Sequence, residues 1–273
     1  MKKWIFPSLV LTAAVLLHAC DTSQYAATNK SYKKQVRNFS KVLKEYPVKD
    51  SAGLNYAGDW VGTTNLSMRK PNYVIIHHTA QNSCDQTLRT FTLPRTGVSS
   101  HYVICRDGSV YHMLNDLLRG HHAGVGKWGS ITDMNSCSIG IELDNNGSEP
   151  FSEALMNSLV QLLDRLKKAY NIPQSNFIGH LDWAPGRKND PSRHFSWKML
   201  AEKGFGFWYD TSAVQVPAGF DPVQGLRNIG YNTAKPEIAI ASYKIHFVPQ
   251  DSSRKLNEAD RRIIYDLMRK YQY

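Results

Sequence analysis

The sequence predicts an α/β fold, in which one β-sheet packs against a helix, followed by a small C-terminal module of three helices. Short apolar, β-branched stretches bounded by turn residues predict the sheet. A stretch with leucines at helical spacing predicts the helix, and three further helical patterns follow a Gly- and Pro-rich segment. With 42% hydrophobic and 11% aromatic residues, the chain can form a packed core, so a disordered protein is excluded.

The strands are predicted from four stretches. The first covers Tyr73 to His77, an apolar run that follows Pro71. The stretch "HYVICRDGSVYHML" predicts two strands joined by a turn at Asp107-Gly108, and "CSIGIELD" predicts a further buried strand. A short strand from Asn176 to Ile178 ends just before His180. We expect all of them to belong to one sheet.

The helices are predicted from apolar spacing and end signals. The stretch "FSEALMNSLVQLLDRLKKAYNI" has one apolar stripe, and Ser152 is its expected N-cap. Gly, Tyr and Pro cluster from Gly204 to Pro222, which is typical of a domain boundary. The three helices predicted beyond this boundary are Pro222 to Ile229, Pro236 to Phe247 and Glu258 to Tyr271.

The N-terminus has the pattern of an export signal. Lys2 and Lys3 precede an uncharged run from Trp4 to Leu17, and the following "LHAC" resembles a lipobox. Residues 1–19 are therefore expected to be a signal peptide, with Cys20 as the lipid-bearing residue. An ordinary signal peptide, with Cys20 incidental, is the alternative. Residues 20–65, with a weak amphipathic piece around Val36 to Leu43, are expected to form a lipid-anchored tether.

The net charge indicates which partners to expect, and the number of cysteines indicates which disulfides and metal sites are possible. The formal net charge is +10, and the chain stays strongly basic without its first 19 residues. Because no Lys/Arg block is interleaved with aromatics, nucleic acid is not expected as a partner. The basic charge instead predicts an envelope polymer or a membrane surface as the partner. Cys84, Cys105 and Cys137 allow either one disulfide and one buried thiol or three buried thiols. No CxxC pair predicts a cysteine-built zinc site.

The stretch "GHLDWAPGRKNDPS", Gly179 to Ser192, has a composition that favours neither a helix nor a strand. Such a loop needs an external support, and a metal ion could supply it. His77 and His180 each end a predicted strand, and Asp190 follows within the loop. Three ligands of this kind leave one position open, as a catalytic zinc ion requires. The alternative is that these histidines cap loops by hydrogen bonds.

Six stretches occur in an order that resembles a known family: "YVIIHHTA", "VSSHYVI", "GHHAG", "SIGIELDN", "GHLDWAPGRKNDPS" and "HFSW". Together they span Tyr73 to Trp197. They resemble the zinc-dependent N-acetylmuramoyl-L-alanine amidases, the amidase type 2 and peptidoglycan recognition protein family, and within it the AmiD-type lipoprotein amidases. The resemblance implies a mixed central β-sheet flanked by helices. Ser192 departs from that pattern, which has glycine at this position.

The resemblance also implies roles for particular residues. The ligands of one Zn²⁺ ion in the catalytic domain fall on His77, His180 and Asp190. The catalytic glutamate falls on Glu142, which would transfer protons, and the catalytic lysine falls on Lys188, which would stabilise the oxyanion. Two further histidines resemble positions that line the site or pack under it: His101 and His122.

The function that the resemblance implies is hydrolysis of the bond between N-acetylmuramic acid and L-alanine in peptidoglycan or its fragments. Residues 66–203 would form the zinc amidase domain and residues 204–273 a peptidoglycan-binding module. We expect peptidoglycan and muropeptides as partners, with a membrane contacted through the lipid anchor. The expected state is a monomer on the periplasmic side of the envelope, at the outer membrane. A non-catalytic peptidoglycan-recognition protein is the alternative, whereas a stem peptidase is disfavoured because HExxH is absent.

Overall fold

The computed structural model describes residues 24–44 and 62–272, and the chain forms two compact units, residues 1–63 and 64–273. The predicted signal peptide and Cys20 lie outside the described residues. In the first unit, helix α1 covers Ala26–Val42, and none of its residues is buried. It is longer than the amphipathic piece that the sequence predicts. Among the described residues, no helix has the length and apolarity that crossing a membrane requires.

The second unit contains a five-stranded mixed sheet, which confirms the predicted fold class. The central strand β1 lies between β4 and β5 and runs parallel to both. Strand β2 is parallel to β4, and β3 closes the other edge as an antiparallel hairpin partner of β2. The order is β3-β2-β4-β1-β5. The strands are β1 Tyr73–His78, β2 Tyr102–Ile104, β3 Val110–His112, β4 Ser138–Leu143 and β5 Phe177–Gly179.

The register of the parallel strands brings polar residues together. His77 on β1 pairs with Glu142 on β4, and Ile76 pairs with Gly179, the last residue of β5. The carboxyl ends of the three strands therefore meet at one edge of the sheet. His180 follows β5 directly, so three of the chemically interesting side chains start from the same edge.

Seven helices within the described part of the second unit complete the fold. The predicted helices at α3, α6, α7 and α8 are confirmed, and the Ser152 hydroxyl accepts a hydrogen bond from the Leu155 backbone N–H as the predicted N-cap. The sequence does not predict α2, α4 or α5. The helices are α2 Cys84–Thr92, α3 Glu153–Tyr170, α4 His180–Trp183, α5 Trp197–Glu202, α6 Pro222–Ile229, α7 Pro236–Phe247 and α8 Glu258–Tyr271.

The two faces of the sheet are covered by different helices. Val74 and Ile76 point toward the core formed with the leucines of α3. Ile75 and Ile178 point toward the other core, which they share with Leu226 and other residues of the C-terminal helices. The C-terminal helices are therefore part of the folded unit that contains the sheet. A functional division of this unit at residue 204 stays a prediction.

One disulfide is present among the described residues. It joins Cys84, at the start of α2, to Cys105, just after β2, with the two Cα atoms 5.4 Å apart. Cys137 is a free, partly buried thiol. Of the two arrangements that the sequence allows, the structure shows the one with a single disulfide, and this bond fastens α2 to the sheet.

Candidate metal centre and its pocket

The structure brings together the three predicted ligands, His77, His180 and Asp190. The two histidine Nδ1 atoms lie 2.8 Å apart, and Asp190 Oδ2 lies 3.2 Å from the Nδ1 of His77 and 3.0 Å from that of His180. All three residues are buried. Three donor atoms thus converge on one point at the carboxyl edge of the sheet.

Neighbouring hydrogen bonds fix the tautomers of both histidines. The Nε2 of His180 lies 2.9 Å from the Ala123 carbonyl, which can only accept, so the proton is on Nε2. The Ser138 hydroxyl donates to the Met134 carbonyl at 2.6 Å and accepts from the Nε2 of His122. The Nδ1 of His122 therefore accepts from the Nε2 of His77, at 3.1 Å. Both ligand histidines are left with lone pairs on Nδ1, facing one another.

Electrostatics supports this assignment. Burial, together with the nearby His180, lowers the pKa of His77 to about 4, so this ring is neutral at pH 7. Asp190 Oδ2 is a third acceptor beside the two Nδ1 lone pairs, since neither Nδ1 carries a proton to donate to it. Two nitrogen lone pairs and a carboxylate oxygen therefore converge without a proton between the two nitrogens, and such an arrangement attracts a cation.

The donor set fits zinc. Zinc binds nitrogen and carboxylate oxygen at about 2.0 to 2.2 Å in a tetrahedron, whose edges are then roughly 3.3 Å long. The observed separations of 2.8 to 3.2 Å are close to that edge. The outer hydrogen bonds from Nε2 of each histidine are those that orient zinc-bound imidazoles in proteins.

The loop that holds two of the ligands is more ordered than its composition predicts. Residues His180–Trp183 form one helical turn, which corrects the expectation of an irregular segment from Gly179 to Ser192. The turn is stabilised by Asp182, whose carboxylate accepts from the Gly179 backbone N–H at 2.8 Å. The Leu181 N–H donates to the Asp190 carbonyl at 2.8 Å, so the loop closes on the turn.

Glu142 lines the same pocket as the three ligands. Its Oε2 is shielded from solvent and has no hydrogen-bond partner among the described residues. Burial, and secondarily the charge of Asp190, raises the pKa of Glu142 to about 8, while Lys188 opposes the shift. A carboxyl group with a pKa near neutrality can both accept and donate a proton at physiological pH.

Lys188 lies at the exposed rim of this pocket, whose cavity volume is about 390 Å³. Its charge contributes to lowering the pKa values of His77 and Glu142, so the ammonium group acts on the site electrostatically. The backbone N–H of Lys188 donates to the Ala184 carbonyl at 3.0 Å. The loop therefore supports the lysine backbone while the side chain remains free to meet a ligand.

The two histidines that the resemblance places near the site differ. His122 lines the pocket and contacts His77. His101 is fully buried: its Nδ1 accepts from the Gly140 N–H and its Nε2 contacts the Leu118 carbonyl. A substrate-lining role does not fit the position of His101, which packs under the site. Gly140 has a steric role here, since a Cβ on it would lie 2.4 Å from the His122 ring.

Sequence reasoning missed one wall of the pocket and two supporting residues. Helix α2 contributes the wall, through Thr87, Thr90 and Phe91. His78, which does not join the three donors, accepts from the Ser192 backbone N–H at 3.1 Å and so supports the ligand loop. Arg187 donates to the Ala123 carbonyl that also bonds His180. The only signal for Arg187 in the sequence is a basic residue within the predicted ligand loop.

The comparisons with known proteins agree with this geometry. The family model described as N-acetylmuramoyl-L-alanine amidase matches residues 67–193. N-acetylmuramoyl-L-alanine amidase AmiD of Escherichia coli (strain K12) is 30% identical over 231 residues, which cover 72% of this chain and 82% of that protein. The 1,6-anhydro-N-acetylmuramyl-L-alanine amidase AmpD of Haemophilus influenzae is 36% identical over 102 residues, 37% of this chain and 55% of that protein.

Solved structures show the same likeness over a large part of the chain. AmiD from E. coli, in complex with the substrate anhydro-N-acetylmuramic acid-L-Ala-D-gamma-Glu-L-Lys, superposes with a TM-score of 0.67 at 26% identity and covers 77% of this chain and 93% of that chain. AmpDh3 from Pseudomonas aeruginosa has a TM-score of 0.69 at 25% identity and covers 81% and 100%, respectively. Both likenesses extend beyond the segment that the family model matches.

Proposed function

The chain belongs to the N-acetylmuramoyl-L-alanine amidase family, and on that premise we propose that it uses one zinc ion to hydrolyse the amide bond between N-acetylmuramic acid and L-alanine in peptidoglycan fragments. The observation that carries the zinc proposal is the convergence of two Nδ1 lone pairs and one carboxylate oxygen within about 3 Å of one another. A recognition protein without activity would have no need of Glu142 and Lys188 beside these ligands.

The roles of the residues follow from their positions. His77, His180 and Asp190 would hold the ion, which when bound polarises a carbonyl and lowers the pKa of water. Glu142 faces the same pocket with a free, buried Oε2, and it would take a proton from the attacking water and pass it to the leaving amine. Lys188 would meet the negative charge that develops on the carbonyl oxygen.

Fragments that carry a 1,6-anhydro end are the substrate class that we favour. The support is the solved complex of the related AmiD, in which the bound substrate is anhydro-N-acetylmuramic acid-L-Ala-D-gamma-Glu-L-Lys. A second solved AmpDh3 structure is a complex with an anhydromuramic pentapeptide. Digestion of sacculi and of released muropeptides side by side, with mass spectrometry of the products, distinguishes fragments from intact polymer.

We further propose that Cys20 carries lipid and that the protein acts as a monomer on the periplasmic side of the outer membrane. The support is the sequence "LHAC" after an apolar run with two preceding lysines. An anchor would concentrate the enzyme at an insoluble polymer. In a high-salt wash, which screens contacts between charges, Cys20→Ala should pass into the soluble fraction while the wild type stays on the membrane. Equal retention of both proteins would contradict the proposal.

The test of the central proposal compares activity and metal content. The purified chain should contain about one zinc ion and release the peptide from a soluble muramyl peptide, and a chelator should abolish both. Re-addition of Zn²⁺ should restore the activity. Binding of the muramyl peptide without cleavage by the zinc-loaded protein would instead support the recognition protein.

A further inference from the structure

Helix α1, Ala26–Val42, carries a one-sided distribution of charge that the amidase chemistry does not use. From Thr22 to Lys44 the sequence contains no Asp or Glu. Four of its basic residues recur at spacings of four, three and four, which places them on one side of the helix. These residues are Lys30, Lys34, Arg37 and Lys41.

The opposite side of α1 is apolar and exposed. Val36, Phe39 and Leu43 follow each other at spacings of three and four, so they form one apolar stripe. Val36 and Phe39 belong to α1, and Leu43 is the residue directly after it. Their exposed fractions are 37%, 53% and 75%. Val36 lies two residues after Lys34, a rotation of about 200° in an α-helix. The apolar stripe and the basic side therefore face opposite directions.

An isolated helix of this length is marginal in water, and like charges four residues apart destabilise it further. A partner that covers the apolar stripe and neutralises the basic side would stabilise α1. The surface of an anionic bilayer does both, because apolar side chains enter the boundary between headgroups and acyl chains while lysines contact lipid phosphates. A polyanion such as a nucleic acid supplies charge but no apolar boundary.

We propose that α1 lies on the surface of an anionic membrane. Each Lys or Arg near such a surface strengthens the binding, and the apolar stripe adds to it. The proposal requires neither acylation of Cys20 nor amidase activity.

The test uses the chain from residue 20 onward with Cys20→Ser, so that no acyl chain is present. It is sedimented with phosphatidylcholine vesicles, with vesicles containing about 30% phosphatidylglycerol, and with sacculi. We expect binding to the anionic vesicles that weakens as salt is raised and is at least tenfold weaker for Phe39→Ser/Leu43→Ser and for Lys34→Glu/Arg37→Glu. Matched controls are Leu66→Ser/Met68→Ser, which removes exposed apolar side chains elsewhere, and Lys168→Glu/Lys203→Glu, which reverses two exposed charges elsewhere.

Three results obtained with the wild type and the α1 variants would overturn the proposal. These are equal binding to neutral and anionic vesicles, pelleting with sacculi but not with vesicles, and unchanged vesicle binding by both α1 double variants. Loss of binding by the control variants to the same extent would also overturn it, because the effect would then reflect charge and hydrophobicity in general.

A second inference concerns Asp182, which is fully buried in the turn that begins with His180. Besides the Gly179 N–H, its carboxylate accepts from the Tyr231 hydroxyl at 2.6 Å and from the His246 Nδ1 at 2.8 Å. Tyr231 follows α6, and His246 belongs to α7, where its ring stacks on Trp197 at 4.0 Å. Residues of the C-terminal region thus hold the turn that presents a residue of the candidate metal centre.

We infer that Tyr231 and His246 are positioning residues for the metal centre, an inference that rests on the proposed zinc site. Outer partners that orient ligands in metal sites typically change the metal affinity by about 10- to 100-fold when they are lost. Here the partners act one step further out, through Asp182 and the backbone of the turn. The C-terminal helices would therefore contribute to the metal centre as well as to any contact with the wall.

The test measures zinc affinity by competition with a chelator and the visible spectrum of the Co²⁺-substituted protein. Tyr231→Phe and His246→Leu should weaken binding about 10-fold and change the cobalt bands, while His246→Asn, which keeps a donor near the position of Nδ1, should restore both. Tyr243→Phe is the matched control, because its hydroxyl bonds a different buried carboxylate, Asp260, at 3.1 Å.

Each outcome separates this inference from the proposed function. Failure of the wild-type chain to bind zinc refutes the proposed function. Zinc binding that is unaffected by Tyr231→Phe and His246→Leu refutes the positioning role alone. An equal loss in Tyr243→Phe would also refute it, since general destabilisation of the helices would then explain the effect.

Discussion

Two buried polar clusters in the same folded unit differ in whether they are satisfied by the protein. In α7 and α8, Lys244 pairs with Asp251 and Asp260, and Asp260 also accepts from Tyr243 and from the Asn257 backbone N–H. At the sheet edge, the donors of His77, His180 and Asp190 face one another without such closure. In the first cluster the buried Lys244 ammonium pairs with two carboxylates, whereas the second brings a carboxylate and two nitrogen lone pairs together with no cation among them. Burial alone does not mark a functional site, but buried acceptors that converge without a donor or a cation do.

Removing a ligand tests the incomplete cluster and should have the largest effect. His77→Ala, His180→Ala or Asp190→Ala should each abolish zinc binding and reduce the activity to background, because two remaining donors do not hold the ion. Zn²⁺ should raise the unfolding temperature of the wild type and of none of the three variants, because a metal that binds only the folded state stabilises it. Metal analysis and thermal unfolding with and without Zn²⁺ provide the measurement. Wild-type zinc content in all three variants would refute the assigned site.

Breaking the closed cluster should affect stability and leave the metal centre intact. Asp260→Ala leaves the buried Lys244 with only Asp251, and breaking a buried ion pair typically costs about 3 to 5 kcal/mol. We expect denaturant unfolding to show a loss of this size, while zinc content below the transition stays at the wild-type level. A loss of zinc without a loss of stability would mean that the two clusters are not independent.

Lys188 tests whether the pocket separates metal binding from transition-state stabilisation. Lys188→Ala should retain zinc and lose about 3 to 4 kcal/mol of transition-state stabilisation, roughly a hundred- to a thousandfold fall in kcat. KM should change little, because the charge that Lys188 meets is absent from the bound substrate. Lys168→Ala, at an exposed helix pair, is the control in steady-state kinetics. A kcat near that of the wild type would reduce Lys188 to a surface charge.

Glu142 should give the smallest effect per step, a change with each pH unit in the stability of the metal-free protein. Its pKa is about 8 when folded, against an ordinary 4.5, so between these values the folded state keeps a proton that the unfolded state has lost. Stability due to this group therefore falls as pH rises through the window, by up to about 1.4 kcal/mol per pH unit. Glu142→Gln should remove this fall.

The measurement for Glu142 is denaturant unfolding of the metal-free wild type and Glu142→Gln at several pH values from about 5 to 8. The advantage of the variant should grow with pH. Glu149→Gln is the control: a hydrogen bond from Arg106 lowers the pKa of Glu149, so its contribution is constant over this range. Parallel curves for wild type and Glu142→Gln would show that Glu142 is ionised throughout.

Much of this architecture could be predicted from the sequence because its signals are local. The apolar runs of β1 and β4 and the stripe of α3 depend on short-range periodicity, and the bounds of α6, α7 and α8 follow from Pro, Asp and Asn at their starts. The three residues of the candidate metal centre could be selected because two of them follow predicted strands and all three fall on the family motifs.

The remainder depends on contacts between distant residues. The turn at His180–Trp183 forms because Asp182 is satisfied by Tyr231 and His246, which lie 49 and 64 residues further along the chain. His101 lies under the site because the Gly140 N–H and the Leu118 carbonyl contact its ring. The periodicity of the sequence does not indicate these contacts. Helix α2 has only Thr87 and Leu88 buried, so its apolar pattern is too weak to detect.

The bond between Cys84 and Cys105 has a consequence for when the pocket becomes complete. It fastens α2, which supplies one wall of the pocket, to the end of β2. A compartment that keeps thiols reduced does not allow this link to form. In such a compartment, a newly made chain would already have the residues of its candidate metal centre and both hydrophobic cores. Helix α2, however, would not yet be fixed against the sheet. Oxidation of the two thiols would then be the last step in forming the pocket, which would be complete only where disulfides persist.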